Sequence, residues 1–287
     1  MRRAVRNWSF GAYRYTKPRK NSNRQYIRTL GNLLREGMEK IINKEALPQA
    51  VKCCKIVPAA LGEQIGDYAA IAAALLYVIN MLDELLKRYP SLESAREAII
   101  KAENALIDGF KSDNKLLICG NGGSCADCGH IVGELMKGFL SKRPLSCEQK
   151  AEMKTNCPEI YDKYLSLLQR AVPAISLPSF TALNTAFCND VEPELVFAQC
   201  LMGLGKKDDI LLCISTSGNS KNVIAAALTA KALGLKSIGL TGKTGGKLKS
   251  ICDICISVPE TETFKVQELH LPDYHYLCAR VEEELFN

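Results

Sequence analysis

The sequence predicts an α/β fold: a three-layer α/β/α sandwich on a five-stranded parallel sheet, preceded by a helical N-terminal extension. Three observations predict it. Five short apolar runs, at 115–119, 171–177, 209–215, 236–241 and 252–258, have strand length and little polar alternation, as strands covered on both faces must. Helix-patterned segments at about 124–140, 180–206, 219–233, 244–250 and 265–286 alternate with them, which makes the sheet parallel and places helices on both of its faces. Two of the runs end in Gly- or Ser-rich loops that lead straight into helices, and ligands of open parallel sheets sit at the carboxyl ends of strands.

Taken in order, the 287-residue chain opens on a basic arm: residues 1–35 hold ten Lys and Arg and no Asp or Glu. The remainder carries 27 basic against 31 acidic residues, so the net charge of +6 belongs to the arm and not to the body. Such an arm reads first as a solvated tail, while contact with nucleic acid or another anionic surface stays open. Residues 26–43 and an alanine-rich stretch around 68–82 read as helices. The latter is fifteen residues long, short of the roughly 20 that a membrane span needs, so no membrane protein is expected. The chain divides on this reading into an arm and extension at 1–85 and an α/β domain at 86–287. The domain opens on a helix from Pro90, with Ser91 as its cap and Ala95, Ile99, Ala102 and Leu106 on its inner face. Residues 141–170 are charged and helix-prone, and they lengthen the crossover to the second strand as a lid or an oligomer contact. Thirteen cysteines, many inside apolar runs, and no recognised signal peptide lead to the expectation of a reducing cytoplasm.

The chemistry concentrates in few places. The first loop, Gly120-Asn121-Gly122-Gly123-Ser124, lets backbone N–H groups at a helix start approach an anion. On the same helix His130 and Glu134 stand at i and i+4, on one face. The second loop, Ser215-Thr216-Ser217-Gly218-Asn219-Ser220, offers hydroxyls before another helix and makes a second half of a phosphate cradle. A third, Thr241–Gly246, reads as a turn only. The chain has three histidines; the other two, His270 and His275, fall in the last helix near Gln267. His130, Glu134 and His275 together offer N and O donors suited to zinc.

These stretches, with Asn189-Asp190, Leu240-Thr-Gly-Lys and Gln267-Glu-Leu-His with His275 beyond, resemble the SIS (sugar isomerase) domain, and within it the bacterial phosphoheptose isomerases. The resemblance runs from about residue 90 to 286. It implies a flavodoxin-like fold and the zinc-assisted isomerisation of sedoheptulose 7-phosphate to a manno-heptose 7-phosphate. It also implies one Zn2+ per subunit held by His130, Glu134, Gln267 and His275, with Glu134 and His275 as the acid–base pair. Its substrate contacts would be Asn121, Gly122, Gly123, Ser124, Asn189, Asp190, Ser215, Thr216, Ser217, Ser220 and Gln267, in a homo-oligomer, a tetramer. The chain departs from the pattern at Phe264, where an acidic residue is usual, and at Gly138, where a basic one is. Two alternatives stay open: a non-catalytic SIS protein that binds a phosphosugar or assists the replication initiator, and an isomerase of another phosphosugar.

Overall fold

The computed structural model describes residues 81–286, all of which belong to one compact unit, Ala74–Asn287. The expected basic arm, the helix at 26–43 and nearly all of the alanine-rich stretch lie outside the described residues.

The five expected strands form one parallel sheet: β1 (Leu116–Gly120), β2 (Ala174–Ser176), β3 (Ile210–Ser215), β4 (Lys236–Thr241) and β5 (Ile254–Ser257), in the order β2-β1-β3-β4-β5. Every residue of β1 and β3 is buried. Their side chains alternate between two cores, as the two-residue period of a strand requires. Leu116, Ile118, Leu212 and Ile214 pack in one core beneath α1 (Arg96–Lys111), α2 (Gly123–Met136) and the last helix. Leu117, Cys119, Leu211 and Cys213 pack in the other.

The second core is covered by α6 (Val196–Leu204) and α7 (Lys221–Leu233). Between α2 and β2 come α3 (Cys147–Asn156) and α4 (Asp162–Leu167), and α5 (Thr181–Asp190) precedes α6. A short α8 (Leu248–Ile251) follows β4, and α9 (Thr263–Phe286) closes the chain. This strand order reverses direction at β1, so the loops after β1 and β3 part there and open a crevice. Both Gly- and Ser-rich loops lie at that point.

Several expectations need correction. Pro90–Ala95 is a 3-10 turn and α1 begins only at Arg96, without a side-chain cap from Ser91. Glu93 instead pairs with Arg96 (2.7 Å). The helix expected over 180–206 is two helices, α5 and α6, separated around Pro193, whose missing N–H opens a short 3-10 turn. The last helix, by contrast, runs unbroken through Pro272. It is held on both sides of the proline by buried neighbours and by an ion pair from Arg280 to Glu103 of α1 (2.9 Å).

The segment 141–170 is pinned at its two ends. Pro144 bridges Gln169, and Arg170 N donates to Arg143 O (2.7 Å). Arg143 is wholly buried; it donates to Glu282 of α9 (2.7 Å) and to the carbonyls of Leu135 (2.6 Å) and Glu134 (3.1 Å), which closes the C-terminus of α2. Burial alone would raise the Glu282 pKa. The N–H groups of Phe139, Leu140 and Ser141, with Arg143, outweigh it and hold the carboxyl below its usual range. Between these ends α3 buries no residue and α4 only Leu165.

Candidate active site

The crevice at the strand reversal is a cavity of about 260 Å³. Asn121, Gly122, Gly123 and Ser124 line it from the loop after β1, and Ile214, Ser215, Thr216 and Ser220 from β3 and its loop. Thr263 and Gln267 line it from the first turns of α9. The starts of α2, α7 and α9 therefore meet around one space, and helix N-termini favour an anion there. None of the lining residues is charged. Recognition falls to dipoles, N–H groups and hydroxyls.

The two loops are tied together. Asn121 and Asn222 exchange side-chain amide bonds, Asn121 Nδ2 to Asn222 Oδ1 at 2.8 Å and Asn222 Nδ2 to Asn121 Oδ1 at 2.9 Å. Ser215 Oγ and Ser220 Oγ lie 3.0 Å apart. Gly218 has φ +65°, and a Cβ there would stand 2.1 Å from Gly245 O. The third loop thus packs against the back of the second, with Lys247 N donating to Asn219 Oδ1 (3.0 Å). It is a support for the cradle as well as a turn.

Two turns along α2 the second constellation forms. His130 Nε2 lies 3.3 Å from Glu134 Oε1 and 3.4 Å from His275 Nε2. The two imidazoles meet edge to face, with centroids 4.9 Å apart at 88°. On its other side His130 Nδ1 is 3.0 Å from the Tyr274 hydroxyl, which donates to Asp127 Oδ1 (3.2 Å). Burial, then the neighbouring His130, lowers the His275 pKa, with Arg88 acting in the same sense and Glu134 against it. His275 also walls a larger cavity, about 410 Å³, together with Arg88, Tyr89, Phe139 and Tyr276. Lys137 reaches Glu134 Oε2 (3.6 Å) beside Gly138, where a Cβ would stand 2.4 Å from Ser141 O.

The expected zinc site is not upheld. Among the described residues no group of three or more His, Cys, Asp and Glu side chains is placed to hold a metal ion. The physical reason lies in α9. Because the helix is continuous, Gln267 and His275 stand about 12 Å apart along its axis. Gln267 serves the cradle, where its amide lies against Gly123, while His275 faces His130. His130 meets Glu134 and His275 in two pairwise contacts, and the i, i+4 spacing on α2 gave His130 and Glu134 a common face without making a metal cluster.

Of the other expected residues, Asn189 and Asp190 sit at the end of α5, bonded to each other (2.8 Å), and are absent from the cradle lining. Ser217 is also absent from that lining; its hydroxyl accepts from Asn219 N (3.1 Å). Sequence reasoning missed Thr263, Asn222, Tyr274 and Arg143. Asn222 closes the stretch that carries the second loop, but its partner lies 101 positions away and nothing local marks the pair.

Comparison with known proteins places the chain in a family. Residues 154–242 match the SIS domain, which defines the class. The phosphoheptose isomerase of Nitratiruptor sp. is 38% identical over 204 residues, 70% of this chain and 95% of that protein. That of Aneurinibacillus thermoaerophilus is 35% identical over 216 residues, 72% of this chain and 96% of its own. A solved phosphoheptose isomerase from Francisella tularensis superposes with a TM-score of 0.56 at 28% identity, covering 76% of this chain and 98% of its own. The chain belongs to the phosphoheptose isomerase family of SIS-domain proteins.

Proposed function

We propose that this protein isomerises sedoheptulose 7-phosphate to D-glycero-D-manno-heptose 7-phosphate. Membership of its family makes it an isomerase, and the name of its relatives supplies the phosphoheptose. The observation that carries the reading is the placement of two unlike sites on one helix. The phosphate cradle is at the start of α2, and a carboxylate with two imidazoles is two turns further on. From Gly123 to His130 the helix rises about 10 Å. That span suits a seven-carbon sugar phosphate lying extended.

In this reading the phosphate dianion rests against the N-termini of α2 and α7 and the hydroxyls of Ser215 and Ser220. Holding the far end of the chain sets the reacting carbons against the proton-transfer groups. A base, Glu134 or His275, takes a proton from C1 of the ketose, whose electron pair forms the C1–C2 double bond of the enediol. The C2 oxygen gains a proton. Return of a proton to C2, with loss of the O1 proton, leaves the aldehyde at C1. No atom is gained or lost overall. We take the active form to be a homo-oligomer, which light scattering on the full chain checks.

The test is turnover of sedoheptulose 7-phosphate followed by NMR of the anomeric protons. Appearance of the heptose 7-phosphate aldose supports the reading. Turnover of a five- or six-carbon ketose phosphate in its place would leave the isomerase class standing and overturn the substrate.

A further inference from the structure

We propose that Arg88 is a catalytic residue of this isomerisation, a cation whose guanidinium fork grips the O1 and O2 oxygens of the sugar as negative charge develops on them. The inference rests on the proposed reaction and adds a group to it. His275 walls the cavity of about 410 Å³, so a sugar whose reacting carbons lie against His275 faces into that space. The wall is mostly apolar, with Leu85, Phe139 and Leu271 among its side chains. Glu84 and Arg88 are the carboxylate and the guanidinium in it, one turn apart on the helical residues 81–88. Tyr276 also lines it, but its hydroxyl is given to Glu103 (2.5 Å).

Arg88 differs from the other arginines. The described residues hold five. Arg96 is held by Asp83 and Glu93, Arg143 by Glu282 and Arg280 by Glu103, while Arg170 donates to the carbonyls of Pro144 and Phe286. Arg88 makes neither an ion pair nor a hydrogen bond among the described residues; its guanidinium carbon lies 5.3 Å from the centre of the Tyr89 ring. Its five N–H donors are therefore left for a ligand. Lys137, at the end of α2, is by contrast paired with Glu134 (3.6 Å). The charge of Arg88 is near enough to His275 to weigh on that imidazole.

The chemistry calls for such a group. When the base takes the C1 proton, the C–H electron pair becomes the C1–C2 double bond and the carbonyl pair moves to O2. The resulting enediolate is planar at both carbons, and in its cis form O1 and O2 lie side by side with one negative charge between them. A carboxylate presents its oxygens to arginine in the same way, and a lysine cannot match the fork. The ketose has only a neutral carbonyl there, so the guanidinium binds the enediolate more strongly than the substrate, which is the condition for raising kcat.

The test pairs kinetics with a stable mimic. A six-carbon aldonohydroxamate phosphorylated on C6 has the backbone length of the substrate and holds two oxygens cis in one plane. Heptitol 7-phosphate has the length and the phosphate without the planar pair. Arg88→Met in the full chain should lower kcat about a hundredfold and change KM less than about threefold. By calorimetry it should weaken the hydroxamate about as much as it lowers kcat and leave the heptitol phosphate bound as before. Arg88→Lys should recover about a tenth of the activity at most, and added guanidinium ion should restore part of the activity of Arg88→Ala. Because Arg88 holds no other described side chain, these variants should melt as the parent does. Lys87→Met removes the neighbouring charge, outside the cavity lining, and should change none of these values. The inference is overturned if Arg88→Met keeps the parent kcat and hydroxamate affinity, if it loses both mimics equally, or if Lys87→Met acts alike. Any of these in a protein that turns over sedoheptulose 7-phosphate sinks this inference alone. A parent inert toward that ketose, which prefers the hydroxamate to the heptitol phosphate only while Arg88 is present, would sustain Arg88 and sink the substrate reading.

Discussion

The proposed phosphate cradle and the His130–Glu134–His275 group share α2 and α9 but are made of different materials. The cradle is assembled from backbone at three helix starts, short hydroxyls and amides, with no charged side chain among its lining. The imidazole group consists of three long, titratable side chains, with His130 in contact with both of the others. An array of many weak donors tolerates the loss of one. A set of three groups in contact does not, because proton transfer needs each at a stated place. The difference predicts that single substitutions will act on kcat at one end of α2 and on KM at the other.

The largest expected effect is at the imidazole end. Glu134→Gln should cut turnover at least a thousandfold, about 4 kcal/mol of barrier, with circular dichroism and melting unchanged. Near-normal activity would remove Glu134 from the chemistry. Next is Arg143→Met, which strands buried Glu282 and the carbonyls that end α2. We expect a loss of about 3–5 kcal/mol in urea unfolding, and in the surviving folded fraction a fall in kcat greater than any rise in KM. Equal changes at both ends would show that α2 moves as one rod and erase the contrast.

The acid response comes third. His270 is fully buried between Gln267 and His275 in sequence, and burial lowers its pKa to about 4, outweighing the Thr241 backbone. The folded state therefore binds fewer protons there than the unfolded chain. Stability from this group is complete above about pH 6.5 and drains as pH falls toward 4, by about 3 kcal/mol. Asp273, pushed well above its usual range by burial, acts in the opposite sense. Its part cancels when the pH-dependence of unfolding in His270→Leu is subtracted from that of the parent. A flat difference would refute the sign. The smallest effect is in the cradle: Ser220→Ala removes one hydroxyl and should raise KM about fivefold, near 1 kcal/mol, with kcat unchanged. A fall in kcat instead would mean that the cradle also orients the reacting carbons.

Much of this was legible in the residues. Unbroken apolar runs marked β1 and β3 because a strand covered on both faces has no polar side to show. The Gly- and Ser-rich loops marked the crevice after β1 and β3 because a strand-to-helix turn is made of consecutive residues. Spacing on one helix put His130 and Glu134 on one face. Sequence reasoning went wrong locally at Ser91, which does not cap α1, and at Pro193, which splits the expected 180–206 helix; it went wrong across space at the metal site. Pro272 stands inside α9, yet the packed neighbours keep the helix whole, and that continuity separates Gln267 from His275, two of the four expected ligands.

What the chain determined alone, then, is most of what neighbours a few residues apart set: the strands, most of the helices, the turns that follow β1 and β3, the shared face on α2. Tertiary structure decided the features that join distant positions. The strand order β2-β1-β3-β4-β5 brought the two loops together, and the Asn121–Asn222 exchange fastened them. Burial turned Arg143, one basic residue in a charged segment, into the clasp of α2. The meeting of α2 with α9 set Tyr274 between Asp127 and His130. Hydrogen bonds and charge pairs act only within a few ångströms, and along the chain nothing records which residues folding will bring that close.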